Sequence, residues 1–205
     1  MSVVSKTVVF GGTFDPFHKG HAMMLKAAYE EICPDRMIII PAGHPYMKED
    51  AGRKISPAED RLAMLEAGLK NGSFPYEVSR IEIDRDLPSY TYETIMSLKE
   101  EHDLKDGIYF LCGSDTLFSI GKWYKYRALL DRIILTVVPR GDDDMNKILA
   151  RKEHLVNITG AKIVITRFRG PDISSSYIRE HIAECADLIP EGTYEYIKAH
   201  HLYGM

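Results

Sequence analysis

The chain has 205 residues, with 26 lysines and arginines against 30 aspartates and glutamates, and its formal net charge is −4 at pH 7. This length is typical of one domain with a sizeable core. The acidic balance argues against a broadly basic nucleic-acid surface, although a local positive pocket is compatible with it. No apolar run approaches the length that crosses a bilayer, and the first residues lack the apolar region of a signal peptide.

The cysteines indicate a reducing compartment. Cys33, Cys112 and Cys185 are odd in number and lie in or beside apolar segments. This usage is typical of reduced thiols. Together with the absence of a leader or membrane segment in the sequence, it predicts a soluble, cytoplasmic protein.

Apolar strand patterns alternate with helical patterns along the chain. Strands are predicted over residues 7–11, 37–41, 77–83, 107–112, 132–138 and 161–166. Helices are predicted over residues 20–33, 57–71, 91–102, 114–120, 125–130, 143–155, 175–185 and 191–200. The alternation predicts an α/β fold, a Rossmann-like doubly wound parallel sheet with helices on both faces. We interpret residues 1–205 as a single domain with residues 171–205 as its small C-terminal helical part.

The best-marked helix start lies at Ser56. Ser56 is expected to cap the helix, Pro57 to occupy its first turn, and the Glu59 side chain to reach back and complete a capping box. The acidic run at residues 142–144 is interpreted as a solvated helix start that the helix dipole favours.

The segment from Phe10 to His21, FGGTFDPFHKGH, carries the most information about function. A predicted strand ends in paired glycines, two histidines follow three residues apart, and a helix begins. A strand, a tight turn and a helix N-terminus aim backbone N–H groups at one point, which suits phosphate. His18 and His21 add neutral or cationic donors beside that point. The segment therefore predicts a phosphate site.

Zinc is an alternative interpretation of the two histidines. No further cluster of cysteine, histidine or carboxylate residues completes a tetrahedral ligand set in the sequence. We therefore expect no metal ligand among the side chains.

The segment at residues 173–179, ISSSYIR, is the second strong signal. Three hydroxyls open a helix whose first turn exposes N–H groups, and Arg179 lies on that helix. Hydroxyls, N–H groups and the helix dipole all favour an anion there, and an arginine adds bidentate contact with phosphate oxygens. A plain serine-capped helix is the alternative interpretation.

Other polar residues follow predicted strand ends. Asp115 follows Gly113 after the strand at 107–112, where it could accept hydrogen bonds from ribose hydroxyls or cap a helix. Trp123, the only tryptophan, is followed by Tyr124; an indole face stacks well on a pyridinium ring. Lys48 ends a loop after the strand at 37–41 and could face phosphate.

Taken together, these stretches resemble a known family. GGTFDPFHKGH, PSYT at residues 88–91, GSDTL at 113–117, WY at 123–124 and ISSSYIR occur in the order found in nucleotidyltransferases with the (H/T)xGH motif, specifically the bacterial nicotinate-nucleotide adenylyltransferases. The resemblance covers nearly the whole chain. It implies adenylyl transfer from ATP to nicotinate mononucleotide, giving nicotinate adenine dinucleotide and pyrophosphate, by in-line attack of the substrate phosphate without a covalent intermediate.

The resemblance also implies roles for individual residues. The catalytic residues would be His18, His21, Lys48 and Arg179. ATP would contact Gly11, Gly12, Thr13, Phe14, His18, His21, Gly113, Asp115, Ile173, Ser174, Ser175, Ser176 and Arg179. The nicotinate substrate would contact Thr13, Lys48, Ser89, Tyr90, Thr91, Trp123, Tyr124 and Arg140. Mg²⁺ is expected, bound mainly through the ATP phosphates.

Two departures from the family pattern stand out. Tyr46 and Met47 occupy positions where proline and histidine are usual, and His44 could substitute for the missing histidine. Ser176 replaces a threonine and keeps the hydroxyl.

Other functions stay open at this point. Nicotinamide mononucleotide could be the acceptor, because the choice depends on whether the pocket offers donors to a carboxylate or an acceptor to an amide. Pantetheine phosphate or cytidylyl transfer fits the WY and PSYT segments less well. A nucleotide-sensing module that binds without turnover is a further alternative. The predicted partners are ATP and nicotinate mononucleotide, with neither nucleic acid nor membrane, and the sequence leaves homo-oligomer formation open.

Overall fold

The structure is a computed structural model that describes residues 5–46, 54–104 and 107–205. Its strands are β1 (Thr7–Gly12), β2 (Arg36–Pro41), β3 (Glu77–Val78), β4 (Ile108–Gly113), β5 (Ile134–Val138) and β6 (Lys162–Ile165). Its α-helices are α1 (Lys19–Ile32), α2 (Ala58–Leu69), α3 (Thr91–Glu101), α4 (Ser114–Ser119), α5 (Tyr126–Leu130), α6 (Met145–Thr159), α7 (Ser175–Glu180) and α8 (Glu191–Ala199). Short 3₁₀ turns span Ile120–Lys122, Ile182–Glu184, Ala186–Leu188 and Leu202–Gly204.

The six strands form one parallel sheet in the order β3-β2-β1-β4-β5-β6. The strand order reverses between β1 and β4. The loops that follow these two strands therefore run to opposite sides of the sheet. In such sheets, ligands bind at the carboxyl ends of the strands beside this reversal. The predicted Rossmann-like doubly wound fold is confirmed.

Both faces of the sheet are buried, which explains the nearly continuous apolar runs of its strands. Val8 and Phe10 of β1 pack with α1 and α2 on one face. Val9, between them, packs on the other face with α3, α4, α5 and α6. The alternation follows from the two-residue period of a strand.

A third apolar cluster attaches the C-terminal helices to α2. Met64 of α2 packs there with Ile178 of α7 and Ile197 of α8. The Thr193 hydroxyl donates to the Met64 carbonyl at 2.7 Å. Residues 171–205 therefore cover the part of α2 that faces away from the sheet.

Three local expectations prove wrong. The capping box at Ser56 does not form: Pro57 precedes α2 without a side-chain cap, and Glu59 binds Arg80 at 2.7 Å instead. The strand predicted over residues 77–83 is only the two residues of β3, because the chain turns where the Asp84 N–H donates to the Arg80 carbonyl. The helix predicted over 175–185 ends at Glu180 and gives way to 3₁₀ turns.

The acidic run begins a helix as expected. Asp144 caps α6, and its carboxylate accepts the N–H groups of Asn146 and Lys147 at 2.9 and 3.4 Å. α6 extends to Thr159, beyond the predicted end at residue 155, and Gly160 closes it in a left-handed conformation.

Arg61 is the most deeply buried charged side chain of the described residues, with 1% of its surface exposed. Its guanidinium donates to the carbonyls of Ser56, Thr13 and Gly43 at 3.0, 2.9 and 3.2 Å. Thr13 follows β1 and Gly43 follows β2, so one side chain on α2 joins both loops. These contacts set the spacing of the two loops at the carboxyl end of the sheet.

We expect Arg61→Met to lower the free energy of unfolding by about 3 kcal/mol, because it leaves buried carbonyls without donors. Chemical denaturation measures the change. Arg80→Met is the matched control, since Arg80 binds Glu59 and Asp84 at an exposed position where ion pairs contribute little. An Arg61→Met protein that unfolds at the wild-type denaturant midpoint would show that the three contacts do not stabilise the fold.

Candidate active site

A cavity of about 450 Å³ opens at the carboxyl ends of β1, β2 and β4. Many of the residues that the sequence singled out line it. These are Gly11, Gly12, Thr13, Phe14, His21, Ser89, Tyr90, Thr91, Gly113, Asp115, Trp123, Tyr124 and Arg140. Segments that lie as much as 129 positions apart in the chain therefore surround one space.

His18 and His21 cap α1 reciprocally. The His21 N–H donates to Nδ1 of His18, and the His18 N–H donates to Nδ1 of His21, both at 3.3 Å. The two rings stack with their centroids 3.6 Å apart. Because each Nδ1 accepts a hydrogen bond, each neutral imidazole carries its proton on Nε2. The cap thus fixes the tautomer of both rings.

The two histidines differ in their surroundings. His21 lines the cavity, and the rings of Phe14 and Phe17 contact it at 5.1 and 5.6 Å between centroids. His18 is only 4% exposed and borders a second, small cavity together with Arg140. Burial, and to a lesser degree the positive charge of Arg140, lowers the pKa of His18 to about 3. His18 is therefore neutral near pH 7.

Arg140 brings a positive charge to the wall where β4 and β5 end. Its Nη2 lies 3.6 Å from Oδ1 of Asp115. A Cβ at Gly113 would lie 2.5 Å from that carboxylate oxygen and 2.7 Å from the guanidinium. A side chain at position 113 would therefore displace the ends of both side chains. Asp115 and Arg140 thus form a polar pair beside the cavity.

The ISSSYIR segment contacts the loop after β1 from the C-terminal side. Ser174 caps α7 by accepting the Tyr177 N–H at 3.1 Å. The Ser175 hydroxyl donates to the Pro16 carbonyl at 3.1 Å, and Arg179 donates to the Asp15 carbonyl at 2.6 Å and to the Ser176 hydroxyl at 3.2 Å. The two motifs at opposite ends of the chain are therefore neighbours in space.

Several predicted residues lie beside the large cavity rather than along its wall. His18 and Ile173 border the small cavity. Ser175 and Arg179 contact the loop after β1, whereas Ser174 caps α7 and Ser176 accepts a hydrogen bond from Arg179. Lys48 and Met47 lie outside the described residues.

Tyr90 occupies the N-cap position of α3, and no side chain caps that helix. The Ser89 hydroxyl instead accepts the His44 N–H at 3.0 Å, and the Ser89 N–H donates to the His44 carbonyl at 2.9 Å. His44 therefore joins the loop after β2 to the segment before α3.

Sequence reasoning missed a contact between the last turn of the described chain and the loop after β1. The Asp15 carboxylate is 3% exposed and accepts the Tyr203 hydroxyl at 2.6 Å. Arg179 Nη1 lies 3.8 Å from the same carboxylate. Burial and the Asp15 charge raise the pKa of Tyr203 well above its usual range, so its hydroxyl stays a donor. No local pattern marks Tyr203.

A buried carboxylate on the cavity wall was also missed. Glu82 is 6% exposed and lines the cavity. The Thr94 hydroxyl donates to Glu82 at 2.6 Å, and Arg85 donates to the Thr94 oxygen at 3.0 Å. These contacts hold the segment before α3 against the first turns of that helix.

Within residues 5–46, 54–104 and 107–205, no helix is both long and apolar enough to cross a membrane. No group of three or more histidine, cysteine, aspartate or glutamate side chains within them could hold a metal ion.

The sheet order and the glycine-rich turn at the end of β1 define the doubly wound nucleotide-binding class of α/β proteins. The model of the cytidylyltransferase-like family matches residues 9–181. A probable nicotinate-nucleotide adenylyltransferase of Dehalococcoides mccartyi is 34% identical over 201 residues, covering 97% of each chain. One of Carboxydothermus hydrogenoformans is 35% identical over 203 residues, covering 97% of this chain and 98% of the relative.

A solved structure confirms the fold. A Plasmodium falciparum nicotinic acid mononucleotide adenylyltransferase complexed with NaAD superposes with a TM-score of 0.75 over 97% of each chain, at 20% identity. Within the cytidylyltransferase-like family, the chain belongs to the nicotinate-nucleotide adenylyltransferases.

The depressed pKa of His18 predicts a pH dependence of stability. An unfolded histidine binds a proton near pH 6.5, whereas folded His18 does so only near pH 3, so stability falls as the pH drops below about 6.5. Between about pH 7 and pH 5, we expect the wild type to lose about 2 kcal/mol more unfolding free energy than His18→Asn.

Urea titrations at both pH values measure this difference. His154→Asn, a change at an exposed position of α6, should keep the wild-type dependence. Equal losses in the wild type and in His18→Asn would contradict a depressed pKa at His18.

Proposed function

We propose that this chain transfers the adenylyl group of ATP to nicotinate mononucleotide, giving nicotinate adenine dinucleotide and pyrophosphate. The observation that carries the proposal is that one cavity is lined both by the Gly11–Gly12 turn with His21 and by the rings of Trp123 and Tyr124. A phosphate-binding turn and a flat aromatic wall in the same space suit a nucleotide with an electron-poor ring. Full-length relatives named for this activity support it.

The proposed reaction is an in-line displacement. An oxygen of the acceptor's 5′-phosphate forms a bond to the α-phosphorus of ATP, and the bond from that phosphorus to the bridging oxygen of pyrophosphate breaks. The attacking phosphate is already an anion at neutral pH, because its second pKa is about 6. The reaction therefore needs no general base, and catalysis consists of positioning and charge stabilisation.

His21 is proposed to stabilise the charge that develops on the α-phosphate. Its Nδ1 accepts the His18 N–H, so the donor that it can offer to phosphate is Nε2–H. A neutral donor aligned in advance stabilises a developing charge without reorganisation. His18 holds this arrangement through the reciprocal cap and the stacked ring.

The remaining roles are divided between the two substrates. Asp115 would accept hydrogen bonds from an ATP ribose, and Arg140 would face phosphate. Trp123 would stack on the nicotinate ring. Lys48 and Arg179, with the serine start of α7, are assigned to the triphosphate tail.

The magnesium expected with ATP would be held mainly by phosphate oxygens and water, and it would neutralise phosphate charge. The cytoplasmic location inferred from the cysteines belongs to the same proposal.

Pyrophosphate release tests the reaction directly. Purified protein with ATP and magnesium should release pyrophosphate with nicotinate mononucleotide as acceptor, and much more slowly with nicotinamide mononucleotide or phosphopantetheine. An equal or reversed preference for the amide would contradict the proposed acceptor. ATP binding without turnover on all three acceptors would favour a sensing module instead.

We expect His21→Ala to lower kcat by about 10²–10³-fold, because it removes one electrostatic donor to the transition state. Steady-state kinetics with both substrates saturating measures the loss. His200→Ala is the matched control, since His200 also stacks on a neighbouring ring, that of Tyr196 at 4.0 Å, on the C-terminal helix. Wild-type kcat in His21→Ala would exclude the proposed role.

A further inference from the structure

Three tyrosine rings from separate segments contact one another along the cavity wall. Tyr46 follows β2, Tyr90 precedes α3, and Tyr124 precedes α5; all three line the cavity. The ring of Tyr46 meets that of Tyr90 edge to face, with centroids 4.7 Å apart and planes at 64°. Tyr90 stacks on Tyr124 at 4.5 Å and 27°. We call these three residues the tyrosine ladder.

Polar contacts join the three segments next to the ladder. The His44–Ser89 pair of hydrogen bonds connects the segments of Tyr46 and Tyr90. Lys125 binds Glu93 at 3.1 Å, and its Nζ lies 4.8 Å from the centroid of the Tyr124 ring. The His44–Ser89 and Lys125–Glu93 contacts hold the three segments together, so the tyrosine rings contact each other without a bound ligand.

The ladder lies beside the ring that is proposed to receive the pyridine. Trp123 is adjacent to Tyr124 in the chain, and its indole packs edge to face on Phe110 of β4 at 6.0 Å. The aromatic wall therefore runs from Tyr46 through Tyr90 and Tyr124 to Trp123.

We propose that Tyr46 is a positioning residue for the acceptor nucleotide: its ring edge fixes Tyr90, which fixes Tyr124 beside the pyridine ring. This inference rests on the proposed function. If the aromatic wall is ordered before the acceptor binds, less side-chain entropy is lost on binding, and the binding free energy has less to offset. ATP is assigned to the side of the cavity near Asp115, so this contact does not change its affinity. Tyr46 therefore affects the binding of the acceptor alone.

Tyr46→Leu and Tyr46→Phe test the proposal. Leucine keeps the apolar volume without the ring, so the KM and the Kd for nicotinate mononucleotide should rise roughly two- to tenfold, the range expected for one aromatic pair. The KM for ATP should stay within about twofold of the wild-type value. Phenylalanine keeps the ring and should restore wild-type values. The acceptor Kd is read from the fluorescence of Trp123, the only tryptophan, without turnover.

Tyr194→Leu is the matched control. Tyr194 is also half-buried, but it lies on α8, where its ring contacts Lys198. The Tyr194→Leu substitution should leave the KM for ATP and the KM for the acceptor unchanged. A thermal melt of each variant checks that the fold is intact.

The outcomes separate this inference from the proposed function. A wild type that neither binds nicotinate mononucleotide nor releases pyrophosphate with it overturns both. An active wild type with an unchanged acceptor KM in Tyr46→Leu overturns only the inference. Equal rises in the KM for ATP and for the acceptor, or a failure of Tyr46→Phe to restore binding, overturn it as well.

Discussion

The contact of Arg61 with three backbone carbonyls is the constraint on which the cavity depends. The loops after β1 and β2 leave parallel strands side by side, where the Ala42 N–H donates to the Gly12 carbonyl at 2.8 Å. A guanidinium offers five donors in a fixed plane, so one side chain can bind several carbonyls at once. Because Arg61 is anchored on α2, which packs on the sheet, the spacing of both loops is tied to the core.

The same loop after β1 is held from the C-terminal side by contacts of a different kind. Arg179 and Ser175 bind backbone carbonyls of Asp15 and Pro16, while Tyr203 donates to the buried Asp15 carboxylate. A buried carboxylate is costly unless donors surround it. The C-terminal helices therefore have a part in the site although they do not line the large cavity, and the function of Arg179 includes shaping the turn that precedes the histidines.

Local patterns predicted the parts of this molecule that local interactions determine. The turn after β1, the doubly wound sheet and the helix start at the acidic run of residues 142–144 follow from glycines, apolar runs and acidic residues within a few positions of one another. The predicted capping box at Ser56 does not form because Glu59 binds Arg80, which is distant in sequence. The strand β3 is short because the chain turns between Arg80 and Asp84. Sequence reasoning missed three residues, Arg61, Tyr203 and Glu82. Their partners lie far away in sequence, and no periodic pattern marks such distant contacts.

The two histidines show how local and distant effects combine at the site. Their spacing of three residues produces the reciprocal cap, which fixes the proton of each neutral ring on Nε2. Burial then keeps His18 neutral, and Arg140 reinforces this by its charge. A protonated His18 would lose its Nδ1 acceptor and release the His21 N–H. The low pKa of His18 thus preserves the orientation of His21, and the positive charge beside the two histidines comes from Arg140 rather than from the capping histidine.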